Sequence, residues 1–148
     1  MNHFRIGRAD TEHISVRIVG RAKNVRDNWE VNVVDVEVEI VVGGFSGLFG
    51  AKLSLGHLAS LRDGLARLHS FDLQEMTLEP YLALYNSNLV FKIKGDGLGN
   101  FTADFDVFDE PGNQLRFCLS FDQTEIPAML TGLDAMLTEF PFLDHGNI

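Results

Sequence analysis

Apolar and polar residues alternate along much of the chain, and in two stretches the apolar spacing changes to three and four. Ile14, Val16 and Ile18 alternate with Ser15, Arg17 and Val19, the period-2 pattern of a half-buried strand. Residues 29–42 extend this behaviour, with Val34, Val36, Val38 and Ile40 interleaved with Asp35, Glu37 and Glu39. Upstream the phase is opposite, and Trp29, Val31 and Val33 form the apolar set. A period-2 strand changes face only by gaining a residue, so a bulge or sharp bend is expected near Val33 and Val34. Gly43, Gly44 and Gly47 then supply turn chemistry, and 48–53 returns as a strand.

The first change of period follows. Leu58, Leu61, Leu65 and Leu68 are spaced three, four and three apart, one stripe of a helix. Ser54 is placed to cap it through a first-turn N–H, Gly64 weakens it by roughly 1 kcal/mol relative to Ala, and it is expected to end near Ser70. The second stripe is longer: Ile126, Met129, Leu130, Leu133, Met136, Leu137 and Phe140 predict a helix over about 124–140. Asp122 or Thr124 can cap it, Pro127 suits a first turn, and Pro141 stops it.

Between the helices the period is two again. Leu89, Phe91 and Ile93 form one run, Phe101, Ala103, Phe105 and Val107 a second, and Leu115, Phe117, Leu119 and Phe121 a third. Glycine-rich and Asp-Pro-Gly-type turns separate them, which predicts a three-stranded meander with one apolar face. Two β regions, each followed by a helix, give an α+β class: a mostly antiparallel sheet with a central and a C-terminal helix packed on it. No repeat of 20–50 residues and no proline-rich linker interrupts 1–148, so one domain is expected.

Composition adds partners and compartment. The chain has 148 residues and 45% apolar content, enough for one core without staples. Twelve phenylalanines, lacking any polar handle, are expected to fill much of it. The lone cysteine, Cys118, forms no internal disulfide and no metal site by itself. It lies beside Arg116 and Ser120 on the polar face of its strand, a face that a helix could cover. No basic-then-apolar leader pattern and no apolar run of about 18 residues occurs, which points to the cytoplasm with no membrane contact. Net charge is −9; residues 1–30 carry six basic and four acidic side chains, the rest six and 17. Such a surface repels phosphate backbones and suits a basic partner, or serves solubility alone.

Catalytic motifs fit poorly. Gly44-Phe45-Ser46-Gly47-Leu48 lacks the last glycine of a nucleophile elbow and stands between strands. The glycines of 43–50 and 95–99 have neither the phosphate-loop nor the dinucleotide spacing before a helix, and read as turns. No two of the five histidines lie three to five residues apart, and His57 and His69 stand about 18 Å apart along one helix. No enzyme activity, cofactor or metal is expected.

Carboxylates remain. Asp104 and Asp106 project from one strand face, with Asp109 and Glu110 in the turn beyond. Such a cluster could hold Ca²⁺, which leaves a small-ligand or metal-binding module as an alternative. Ordinary sheet surface explains it too: if Phe91 faces Phe105, then Lys92 faces Asp104, and if Leu115 faces Val107, then Arg116 faces Asp106. Asp35, Glu37 and Glu39 form a second acidic row, read either as a solvated face or as a docking surface for a basic partner. The edge strands of the meander could pair two chains, so a homo-oligomer is open.

Five segments together carry a resemblance. They are the valine-rich strand after Trp29, Gly44-Phe45-Ser46-Gly47, the leucine-striped helix over 55–68, the Leu115-to-Pro127 junction through Phe121-Asp122-Gln123-Thr124, and 133–141 ending Phe140-Pro141. Over roughly 28–142 the chain resembles the WapI-type immunity proteins of bacterial contact-dependent toxin systems, and related uncharacterised bacterial proteins with the same pattern. The resemblance implies a non-enzymatic protein that neutralises a cognate toxin domain, often a nuclease, by stoichiometric binding. No contact residue is carried over; Asp35, Glu37, Glu39, Asp104, Asp106, Asp109 and Glu110 are the partner-binding candidates on charge alone.

Overall fold

The structure is a computed structural model and describes residues 3–22, 32–78, 88–109 and 111–143. The chain runs β1 (His3–Gly7), β2 (His13–Arg21), β3 (Val33–Val42), β4 (Phe45–Ser54), α1 (Leu55–His69), β5 (Glu75–Leu78), β6 (Asn88–Gly95), β7 (Asn100–Phe108), β8 (Gln114–Asp122) and α2 (Ile126–Glu139). Each half is thus four antiparallel strands and a helix. The sheets have orders β1-β2-β3-β4 and β5-β6-β7-β8. The α+β expectation holds, with the antiparallel strands divided between two sheets.

Alternation explains the inner faces. Val34, Val36, Val38 and Ile40 of β3 are buried, as are Phe101, Ala103, Phe105 and Val107 of β7. They join the leucines of α1 and Ile126, Met129, Leu133 and Met136 of α2 in one core. Leu55, Leu58, Leu61, Leu65 and Leu68 are fully buried, which stabilises by roughly 1.5–3 kcal/mol each. Ser54 caps α1, its hydroxyl accepting the His57 N–H at 3.1 Å, and Ser70 closes the helix. A single 3₁₀ turn, Gln123–Glu125, leads into α2, capped by Asp122 and Glu125 acting reciprocally. The phenyl row Phe91, Phe105 and Phe117 runs across three strands with centroids 5.1 and 4.8 Å apart.

Two expectations about strands change. Two short strands escape the pattern: β1 presents only Phe4 and Ile6 to the core, and β5 only Met76 and Leu78. The meander therefore has four strands. Nor does β3 bulge at Val33 and Val34, because it pairs β4 without interruption from Val33 opposite Ser54 to Val42 opposite Phe45. The irregularity sits on β2, where Ile18 faces Val36, Gly20 faces Asp35, and Val19 is the extra residue. Val33 needs no change of face, since it is buried with Ala22 in a small separate cluster. Trp29 and Val31 lie outside the described residues.

Gly132 and Gly64 set two close approaches. At Gly132 of α2 a Cβ would stand 2.3 Å from the His3 carbonyl oxygen of β1. At Gly64 of α1 a Cβ would meet the Met76 thioether of β5 at 2.7 Å. The glycine that weakens α1 is where β5 packs on it.

Candidate partner-binding surface

With inner faces committed to the core, charge collects on the outer faces. On the first sheet Asp35, Glu37 and Glu39 project outward from β3, as their spacing requires. Register places a basic or polar residue beside each. Lys52 of β4 is paired with Asp35. Arg17 of β2 donates to Glu37 at 2.9 Å. His13 Nε2 lies 2.8 Å from a Glu39 carboxylate oxygen, and His13 Nδ1 lies 3.2 Å from the Arg8 carbonyl oxygen. The His13 ring is buried while Glu39 is half exposed. This row is a ladder of cross-strand pairs.

The second row follows the anticipated register. Phe91 faces Phe105, Lys92 faces Asp104, Lys94 faces Thr102, Leu115 faces Val107, and Arg116 faces Asp106. Facing does not mean pairing in every case. The Lys92 ammonium goes to Glu75 of β5 at 2.6 Å, a strand the alternation did not reveal. Asp106 accepts from Gln114 Nε2 at 2.7 Å and has Arg116 Nε 3.6 Å away. Asp104 forms no ion pair among the described residues; its carboxylate hydrogen-bonds the Cys118 thiol opposite it. Burial, then Asp104, pushes that thiol above the usual cysteine range. Cys118 is exposed, and neither α1 nor α2 covers it.

The outer face of the second sheet is a trough of about 610 Å³. Thr77, Val90, Lys92, Asp104, Asp106, Arg116 and Cys118 line it, together with parts of the phenyl row. Asp109 is not part of that lining and lies in the β7–β8 turn. It accepts from the Asn113 amide N–H at 2.7 Å and the Asn113 side chain at 2.9 Å, bonds that hold its carboxyl below the usual carboxylate range. Asp109 is thereby a turn-former as well as a surface charge. Glu110 lies outside the described residues. Of the described candidates, Asp35, Glu37 and Glu39 stand on the outer face of the first sheet, Asp104 and Asp106 on that of the second, and Asp109 in a turn, so the structure does not gather them into one site.

Among the described residues, no group of three His, Cys, Asp or Glu side chains converges as a metal site. Nor, among them, is any helix long and apolar enough to cross a membrane. Sequence reasoning missed Glu75 as the partner of Lys92 and the exposed Phe45 and Leu48 of β4. A four-residue strand leaves too weak a signal for the former. For the latter, alternation does not say which strand ends a sheet.

Fold and surface define an α+β protein that carries its charge on the open outer faces of two antiparallel sheets. The chain belongs to the immunity protein WapI-like family, whose model matches residues 5–141. Membership places it among toxin-immunity proteins, a class whose function is toxin neutralisation by binding. One chain from "Crystal structures of trypanosoma bruciei MRP1/MRP2" is similar to it at 12% identity and a TM-score of 0.48, over 95% of this chain and 85% of that one. No curated protein matches it.

Proposed function

We propose that this protein acts without catalysis in the cytoplasm, binding one basic toxin domain stoichiometrically and masking the surface that domain uses. A nuclease is the toxin class that best suits a protein of net charge −9, because an acidic surface competes for the site that holds a phosphate backbone. The immunity protein itself then contacts neither nucleic acid nor membrane. Family membership over 5–141 is the observation that carries this reading.

The trough of the second sheet is the better candidate for docking. Asp104 has no cation of its own among the described residues, and Asp106 shares one 3.6 Å away. Asp35, Glu37 and Glu39 are already in contact with Lys52, Arg17 and His13, so a basic partner must displace those contacts to use them. Asp109, in the turn that follows β7, adds a carboxylate three residues beyond Asp106 in the sequence. Co-expression with the toxin domains of its own host tests the function: protected growth against one of them supports it, and unchanged killing by all of them with abundant soluble protein overturns it.

A further inference from the structure

The first sheet ends on β4, and among the described residues this edge lacks the usual protection. Strand β4 pairs with β3 on one side and, among the described residues, with no strand on the other. Free N–H and C=O groups along such an edge template another strand, and natural sheets block it with charge, proline, a bulge or a cover. Residues 45–50 contain no charge and no proline, and their register with β3 is unbroken. Phe45 is 69% exposed and Leu48 62%. A Cβ added at Gly44 or Gly47 would meet nothing within 4 Å.

Charge selects the occupant. No Asp or Glu occurs from residue 40 to residue 62 of a chain whose net charge is −9. The edge strand itself offers a basic toxin no carboxylate, and Glu37 and Glu39, one strand in, are already in contact with Arg17 and His13. A second copy of the same acidic protein meets no like charge on the strand it pairs with, and the carboxylates of each β3 lie one strand back from the seam. We infer that β4 pairs antiparallel with β4 of a second copy across a two-fold axis at Leu48, joining two four-stranded sheets.

Geometry fixes that register. Gly43, at φ +55°, and Gly44 make the two-residue turn between Val42 and Phe45. Residues flanking such a turn exchange hydrogen bonds, and the bonding then alternates along the hairpin. Phe45, Gly47 and Phe49 therefore bond to β3, while Ser46, Leu48 and Gly50 turn their backbone groups to the open edge. Centring on Leu48 matches Ser46 with Gly50 of the second copy and Leu48 with itself, so all three bond outward. It also sets Phe45 against Ala51 and Phe49 against Gly47, each ring beside a residue too small to clash. Centring on Gly47 or Phe49 instead opposes Phe45 to Phe49 or Phe49 to itself.

The contact is small beside the roughly 1,600 Å² of a standard interface, so the pair should dissociate on dilution. Sedimentation equilibrium of the wild type should show the mass rising from 16.5 kDa towards twice that value with concentration. Leu48→Lys, exposed and opposite Glu39 within its own sheet, should fold normally by circular dichroism and stay at 16.5 kDa. In a Cys118→Ser background, Leu48→Cys should oxidise to a covalent dimer, since bonded antiparallel pairs lie about 5.5 Å apart between Cα atoms, within disulfide reach. Val19→Cys, equally exposed on β2, should not. A wild type of 16.5 kDa up to its solubility limit overturns the inference. So does a dimer that survives Leu48→Lys, or a monomer whose toxin protection is lost in that variant, which would assign the edge to the toxin.

Discussion

Gly132 of α2 rests directly on the His3 carbonyl of β1, with room for a hydrogen and none for a methyl group. The contact ties the C-terminal helix to the first strand and closes the core between the two halves. Gly132→Ala places its Cβ 2.3 Å from a backbone oxygen that cannot swing aside. Overpacking of this kind costs about 1–3 kcal/mol. That exceeds the ~1 kcal/mol of helix propensity gained. Urea denaturation should show a lower midpoint with an unchanged slope.

Gly64→Ala makes the useful contrast. Its new Cβ meets the end of the Met76 side chain, which has other rotamers. Steric cost and propensity gain are then similar, and stability should stay within about 1 kcal/mol of wild type. A loss as large as that of Gly132→Ala would mean that Met76 is locked in place.

Acid sensitivity should come from turns and caps. Hydrogen bonds from Asn100, Asn113 and Thr124 respectively hold the carboxyls of Asp96, Asp109 and Asp122 below the usual range. Lys92 does the same for Glu75. A group whose folded-state pKa is depressed stabilises fully above its unfolded value and loses that contribution as pH falls through the folded one. Melting temperature should therefore decline below about pH 4. The triple variant Asp96→Asn, Asp109→Asn, Asp122→Asn should flatten that decline; an acid limb of undiminished slope would place the sensitivity elsewhere.

Cys118 reports on the trough. The residue is exposed, yet partial desolvation of its thiol and the Asp104 carboxylate opposite hold the thiol above the usual cysteine range. Alkylation by iodoacetamide should be slow at neutral pH and faster in Asp104→Asn. Bound toxin should shield the thiol further. Equal labelling rates in free and bound protein would move docking away from the second sheet.

Charge neutralisation separates the two acidic rows. Asp104→Asn with Asp106→Asn should slow toxin association about tenfold at low salt and less at high salt, in line with electrostatic steering. Glu37→Gln with Glu39→Gln should act more weakly, because those carboxylates are already in contact with Arg17 and His13. Biolayer interferometry at two salt concentrations reads both.

Much of this arrangement was legible in the residues themselves. Strict alternation at Phe91, Phe105 and Phe117 fixed the inner row, and with it the register that sets Asp104 opposite Lys92. Leucine spacing and the Ser54 cap gave α1 its limits. What alternation could not reveal was tertiary. Strand β5 contributes only Met76 and Leu78 to the core, so Glu75 was not foreseen as the competitor that draws Lys92 from Asp104. The phase change around Val33 signalled a second small cluster with Ala22, a feature that in sequence looks the same as a bulge. The open edge of β4 depends on sheet order, which no local pattern encodes.

Titrating a basic toxin domain that the purified protein captures, while following the toxin's own activity, tests the central claim most directly. Stoichiometric binding predicts a linear loss of activity that ends at one immunity chain per toxin, with a complex of that composition isolated intact. Inactivation by a small fraction of an equivalent, leaving a modified toxin and a free protein, would contradict it, as would full toxin activity in excess immunity protein.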